Sequence, residues 1–424
     1  MPYQERETKV QYGAFLAIPL KYDPEELAGD YLEKNASYTP LTTMDLNENI
    51  KAMLDRSNGE AVGACYRVDR RVLTAPLDQG ADARSFRVSN AQGTYDFQLS
   101  DSYLYVFHTR IAFLCLSLSF SQMEALRAIC NPGFASNEAT FTWLDAHGGS
   151  HGFSMEQWLE ALLQPFGLRK FFDGPSSFLL DAYAHIFALV PDRFQTLEEM
   201  RKITFRLHKM LPVDSSMEDE SEEDLRYVYG VKDQNLHTYR WGCCIASQTV
   251  SYVVADANMD FAHEREAQAQ DGLPVVLLSL YEKYTCLRFT ELIKRLPKGK
   301  AKELKDLMLK FQAFGTVTPA NLSRWHNVKQ LYAHLLEVND IATAVQDISS
   351  KIGILTAHQE EIQRARSEAV INIITIFGIV SILASVLSIV QILSGGDLLI
   401  WASTILTTVM LVLTTVIALW HRKK

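Results

Sequence analysis

Apolar and polar positions follow three rhythms along the 424 residues. From 10 to about 260, short runs of aromatic and β-branched residues recur at 10–20 (VQYGAFLAIPL), 61–73, 84–99, 102–108, 110–120, 177–190 and 225–255. Runs of this kind predict strands, and Asn90-Ala91-Gln92-Gly93 predicts a hairpin turn between two of them. Helical patterns intervene at 121–130, 154–164 and 196–210. Ser121 with Glu124 three residues later has the spacing of a capping box. Strands with helices between and after them predict an α+β or α/β/α domain over 1–273.

From about 274 the pattern turns wholly helical. Pro274 opens one helix to about 296, Pro297-Lys298-Gly299 breaks it, and a second covers roughly 300–314. Pro319 opens a long segment with the apolar stripe Val328, Leu331, Leu335, Val338, Ile341, Val345, Ile348, Ile352, Leu355 and Ile362, with Gln359 in the remaining slot. Steps that alternate between three and four except once predict a heptad-like seam and a helical stalk over 274–368. An amphipathic helix packed on its own domain would carry the same stripe over any single stretch.

The third rhythm is unbroken apolarity. Neither 369–396 nor 398–420 contains Asp, Glu, Lys or Arg, and each exceeds the ~20 residues that a membrane-crossing helix needs. The expectation is a transmembrane hairpin over 369–424, with spans at about 370–393 and 398–420. The opening MPYQERETKVQYG has no apolar core of the signal-peptide kind. Arg364 and Arg366 precede the first span and Arg422, Lys423 and Lys424 follow the second, whereas Ser394-Gly395-Gly396-Asp397 between them has no positive charge. That bias predicts a multi-pass protein of the inner (plasma) membrane with both termini cytoplasmic.

Charge narrows the partners. Residues 320–424 hold eight basic and seven acidic side chains, a net of +1, so of the chain's −9 residues 1–319 carry −10. An acidic domain is a poor binder of phosphate backbones, and direct nucleic-acid binding is not expected. Asp214, Glu218, Asp219, Glu220, Glu222, Glu223 and Asp224 form an acidic run of the solvated-loop type. Lys294, Arg295, Lys298, Lys300, Lys302, Lys305 and Lys310 form a basic cluster, read as a solvated face or an anion or subunit contact. Cys65, Cys115, Cys130, Cys243, Cys244 and Cys286 lack metal-ligand spacing and read as buried reduced thiols.

Candidate chemistry is sparse. Walker A, GxGxxG, GxSxG and HExxH patterns are absent, so no enzymatic activity is expected. His147-Gly148-Gly149-Ser150-His151 resembles a metal clip without a third ligand and reads as a loop. A nucleotide-like ligand needs cations for phosphate and a flat face for a base. Tyr239-Arg240-Trp241, His108-Thr109-Arg110, and Arg169-Lys170 beside Phe171 and Phe172 are the segments that offer them. In the first span Gly378, Ser381, Ser385, Ser388 and Gln391 share an arc, with Asn372 and Thr375 off it. Asn372, Ser381, Ser385, Ser388 and Gln391 are the candidate pore lining, and helix–helix packing is the competing use of small and hydroxyl residues. In the second span Thr404, Thr407, Thr408, Thr414 and Thr415 form a packing face.

A cytosolic α/β domain, a long helix entering the first of two C-terminal spans, a minimal outer turn and a basic tail together resemble the CorA-like membrane proteins. The magnesium channels of that group carry Gly-Met-Asn where this chain has Gln391-Ile392-Leu393-Ser394-Gly395-Gly396-Asp397. The chain looks more like the CRISPR-associated CorA-like effectors of type III antiviral systems. That resemblance implies a homo-oligomer, pentameric in CorA-like proteins, that answers a conjugate of S-adenosylmethionine and AMP by perturbing the lipid bilayer. A constitutive divalent-cation (magnesium-like) channel or transporter and a membrane-tethered cytosolic enzyme are the alternatives.

Overall fold

The structure is a computed structural model that describes residues 10–59, 61–77, 85–131, 139–144, 149–174, 177–211, 225–295 and 300–394, with Trp401, Thr404, Ile405, Thr408 and Val409. Contacts divide the chain into two units, 1–352 and 353–424.

The first unit is built on one mixed sheet. Its strands are β1 (Gln11–Lys21), β2 (Ala36–Tyr38), β3 (Gly63–Val68), β4 (Ser85–Asn90), β5 (Gly93–Phe107), β6 (Ile111–Phe120), β7 (Thr140–Leu144), β8 (Ser150–Phe153), β9 (Arg169–Lys170), β10 (Tyr183–Val190), β11 (Val228–Tyr229), β12 (Trp241–Ile245) and β13 (Thr249–Ala255). Among the described residues the order is β11-β12-β13-β10-β1-β6-β5-β4-β7-β8, with β3 also on β5, β2 on β3 and β9 on β1. All pairs are antiparallel except β10 with β13. The β10–β13 crossover contains α3, defined below, as a parallel pair requires a long connection.

Burial on both faces explains why β1 is an uninterrupted apolar run. Ala14, Leu16, Ile18 and Leu20 enter one core, and Phe15 and Ala17 enter the other. The first core is covered by α1 (Met123–Cys130), α2 (Met155–Leu163) and α3 (Leu197–His208). The second is covered by α5 (Leu273–Lys294), α6 (Ala301–Lys310) and α7 (His326–Val338), with the start of α8 (Ile341–Ser394); α4 (Phe261–Ala267) leads into α5. Helices thus cover both faces of the sheet, and those on the second face come from beyond residue 273, from the segment expected as a stalk.

Several local expectations shift. The run 61–73 ends as a strand at Val68, where the Asp69 side chain caps a short helix, Arg70–Thr74. The run 225–255 resolves into three strands, and 177–190 opens with a helical turn, Phe178–Asp181, before β10. Asn90 pairs with Gly93 as the hairpin requires, its Oδ1 accepting from the Gln92 and Gly93 amides at 2.9 and 3.1 Å. The Ser121 capping box does not form. Gln122 occupies the cap position of α1 without a side-chain bond, whereas Ser154 and Thr196 cap α2 and α3.

The helix expected to run on from Pro319 is interrupted. One turn (Pro319–Leu322) precedes α7, and Asn339-Asp340 separates α7 from α8, with Asp340 in the left-handed region at φ 49°. Asn and Asp tolerate that conformation, and Lys283 Nζ donates to Asn339 Oδ1 at 2.8 Å to hold the break. The stripe Val328, Leu331, Leu335, Ile348 and Ile352 is buried in the second core, with Val345 packed against it. Up to Ile352 the region expected as a stalk thus belongs to the sheet unit. A three-four spacing suits a flat core as well as a partner helix.

In the second unit α8 continues to Ser394. Among the described residues one helix is long and apolar enough to cross a membrane, Ile341–Val390, and its apolar window is unburied. Ile374 and Ile382 are 63% and 65% exposed. The second span expected at 398–420 falls almost wholly outside the described residues.

Candidate functional site

The three C-terminal strands of the sheet, α4, the N-terminus of α5 and α7 enclose a cleft of about 530 Å³. Its aromatic walls are Tyr229 on β11, Trp241 on β12 and Tyr252 on β13, all half-buried. Register places them: Cys243 pairs with both Tyr229 and Tyr252, and Trp241 with Val254. The Tyr229 and Trp241 rings meet edge to face at 5.7 Å.

Arg240 and Lys232 supply cations, and Asp45, Asp233, Glu264 and Asp271 supply carboxylates. Asp233 is neutralised by Arg193 at 2.9 Å and by two backbone amides. Asp271 accepts from the Thr43 hydroxyl. Burial raises the Asp45 carboxyl above its usual range, and the nearby Asp271 charge adds to this while Arg324 opposes it. Glu264 is also raised by burial, against the pull of Gln268, Arg240 and His263.

Behind the cleft lies a buried polar relay. Gln268 Nε2 donates to Glu264 Oε1 at 2.8 Å, so its Oε1 faces His185 Nε2, 2.9 Å away. A carboxylate can only accept, which orients the amide and makes His185 Nε2 the protonated nitrogen. Full burial lowers His185 to about 4, so the ring is neutral at pH 7. Its Nδ1 is buried without a hydrogen-bond partner.

The wall carrying Gln268, Asp271 and Gly272 is a wide π-helical turn, Gln268–Gly272. It ends beside Pro274, which has no amide to donate, and such turns occur where helices are distorted at functional sites. A side chain at Gly272 would meet Gln268 Oε1 at 2.6 Å and His185 Cε1 at 2.9 Å. The cleft can hold a flat heterocycle on its rings, N–H donors or a cation on its carboxylates, and an anionic group beside Arg240.

Of the residues expected to bind a ligand, Arg240 and Trp241 line this cleft. Tyr239 adjoins them, but its backbone pairs with Phe194 at 2.8 and 3.0 Å and its ring packs on the first core. Arg110 lies elsewhere, at φ 69° in the β5–β6 turn, paired with Glu303 at 2.8 Å. In the same turn His108 Nδ1 bonds Val62 O at 2.7 Å and Thr109 bonds Thr285 at 2.9 Å, which fastens the hairpin to α5. Arg169 and Lys170 line a separate open groove with Phe172. Arg169 pairs with Asp23 and Lys170 with Glu156. Asp23 also accepts from buried Arg288 at 2.9 Å, and Arg288 and buried Lys21 share Glu291 at 2.7 and 2.9 Å.

Tyr229, Tyr252, Glu264, Gln268 and Asp271 were not singled out from the sequence. Glu264, Gln268 and Asp271 stand at i, i+4 and i+7, a polar helical stripe legible only if the helix is begun before Pro274.

Other candidates are placed as follows. Asn372, Ser381, Ser385 and Ser388 lie on α8, where Ser385 and Ser388 hydroxyls donate to the carbonyls of Ser381 and Ala384 at 2.8 and 2.9 Å. Gln391 is within α8, but its side chain, His147, Lys298, the acidic run and Asp397 lie outside the described residues. His151 stacks on Trp143 at 4.3 Å. In the basic cluster Arg295 pairs with Asp173 at 2.9 Å and Lys300 with Glu303 at 3.2 Å. All six cysteines are buried and free, and Cys243 and Cys244 point into different cores. Among the described residues no group of three His, Cys, Asp or Glu could hold a metal ion.

No protein-family description, curated protein or solved structure matches this chain.

Proposed function

We propose that this chain is a non-enzymatic, ligand-gated membrane effector whose sheet unit binds a nucleotide-like messenger. The observation that carries this reading is the ownership of the cleft wall. Asn327, Val328 and Leu331 belong to α7, which passes through Asn339-Asp340 into α8, the helix apolar enough to cross a bilayer. A ligand touching α7 therefore acts one short break away from that helix along the chain.

In this reading 398–420 forms a second span, the two spans make a CorA-like hairpin, and both termini are cytoplasmic at the inner membrane. Several copies assemble, five by the CorA resemblance, because one hairpin cannot enclose a water path. Asn372, Ser381, Ser385, Ser388 and Gln391 line the path. The messenger is a conjugate of S-adenosylmethionine and AMP, made during type III CRISPR antiviral defence. Trp241 and Tyr229 offer faces for adenine, Arg240 and Lys232 suit its phosphate, and the carboxylates suit its ammonium and sulfonium groups. Such a ligand shifts the assembly only by its differential affinity for the closed and open states.

The test is ion or dye leakage from liposomes containing the purified protein. Leakage with the conjugate, and none with buffer or plain nucleotides, supports the reading. Leakage without ligand replaces it with a constitutive cation channel. Silence from demonstrably assembled protein replaces it with a membrane-tethered enzyme.

A further inference from the structure

A second concave site, of about 520 Å³, gathers three guanidinium groups from three elements: Arg67 on β3, Arg70 on the short helix after it, and Arg265 on α4. They meet at an irregularity in β5. The β5–β6 register passes from Leu99 opposite Leu118 to Asp101 opposite Ser117, which leaves Ser100 as the extra residue of a bulge. Bulges re-aim side chains and free ladder groups, and they recur beside functional sites. Here Arg70 Nη1 donates to the carbonyls of Leu99 and Ser100 at 3.2 and 3.0 Å, and Arg265 Nη1 donates to Ser100 Oγ at 2.8 Å.

The carboxylates at this site are committed locally. Asp101 accepts from Arg67 Nε at 3.1 Å, and Asp69 caps its helix through the Arg71 amide at 3.0 Å. Glu266 acts on Arg67 from the α4 side. Arg265 instead rests on a neutral hydroxyl. Ser102, 1% exposed, also lines the site, and its Oγ is buried with no hydrogen-bond partner. A buried hydroxyl left unpaired is costly, and a ligand oxygen would relieve it.

We propose that this cleft binds the phosphoryl group of a small molecule, separately from the aromatic cleft. Guanidinium forks match phosphate oxygens in shape and charge, and the Ser100 and Ser102 hydroxyls complete the donor set. Among the described residues its lining has no aromatic ring. The site therefore reads the phosphoryl group and not a base. Glu264 and Arg265 are adjacent on α4, so one short helix contributes to both clefts.

The experiment is isothermal titration of inorganic pyrophosphate into the full chain in detergent micelles. Saturable binding is expected, weakened about tenfold or more by Arg265→Gln and unchanged by Arg110→Ala, at a position outside both clefts. If Arg265→Gln melts early, the largely exposed Arg67→Gln takes its place. Absence of saturable binding to the wild type overturns the proposal. So does equal affinity in the folded arginine variant, or loss of binding in Arg240→Ala, which would send the anion to the aromatic cleft.

Discussion

The Tyr332 hydroxyl donates to Oε1 of Glu282 across 2.5 Å, tying α7 to the middle of α5 inside the core. The Val317 amide donates to the same oxygen at 3.1 Å. Glu282 is only 3% exposed, and burial pushes its carboxyl up to about 7 despite the opposing pull of these two bonds. Tyr332 lies on α7, the helix that forms one wall of the aromatic cleft and precedes α8.

Glu282 should make the sheet unit lose stability as pH rises from about 4.5 to about 7. Its folded value of about 7 exceeds its usual 4.5, so the folded state binds the proton more tightly. The contribution is complete below 4.5 and is lost as pH rises through 7, up to ~3 kcal/mol. Urea melts should show wild-type stability falling over this window and a flatter profile for Glu282→Gln. Parallel profiles would remove Glu282 as the cause. Tyr332→Phe should cost ~1–3 kcal/mol at pH 7, because it strips a donor from a buried carboxyl.

His185 predicts the opposite trend in acid. Its folded value is lowered from 6.5 to about 4 by burial, and His208 is lowered likewise. Stability from the neutral ring is full above 6.5 and lost as pH falls toward 4, because the unfolded chain takes the proton first. His185→Gln should reduce the acid slope in melts between about pH 4 and pH 6.5. It should also weaken ligand binding in the cleft, since Gln268 and Glu264 lose their support. An unaltered slope would assign the acid sensitivity to other groups.

The candidate ligand segments are separable by mutation. Arg240→Ala and Trp241→Ala should each weaken binding of the S-adenosylmethionine–AMP conjugate by roughly tenfold to a hundredfold. Melting should be little changed for Arg240→Ala and lowered for Trp241→Ala, whose ring packs on the second core. Arg110→Ala, Arg169→Ala and Lys170→Ala remove partners of Glu303, Asp23 and Glu156, and should leave that affinity within about twofold. Titration calorimetry on the five variants decides between the sites. A reversed ranking would move the messenger to the Arg169 groove.

Replacing Ser381, Ser385 and Ser388 together by Leu should abolish ion flux and preserve assembly. The hydroxyls of Ser385 and Ser388 bond their own helix, so their loss leaves no backbone group unpaired. Flux through liposomes and subunit number by light scattering are the two readouts. Undiminished flux would show that this stripe packs against protein or lipid.

Gly272→Ala tests the cleft wall. A methyl group there would collide with Gln268 and His185, so melting should fall by ~1–3 kcal/mol and the relay to Glu264 should be displaced. Unchanged melting and unchanged ligand affinity would mean that the wall yields freely.

The sequence by itself determined what depends on neighbours one or two turns away. The strand at 11–21, the Asn90–Gly93 turn, the helices that open near 154 and 196 and the uncharged stretch of α8 all follow from local spacing and residue type. It did not determine which surface a given stripe meets. Val328 to Ile352 carries a seam that fits a partner helix or a sheet equally well, and only the assembled core shows it on the sheet. The Ser121 cap pattern failed for a related reason, because chain entry into α1 from β6 puts Gln122 at the cap position. The aromatic cleft was the least legible feature. Tyr229, Trp241 and Tyr252 become neighbours through strand register, and Asp45 meets Asp271 across more than two hundred residues of chain. Register and long-range contact are set by the packing of whole layers, a property that no local run of residues encodes.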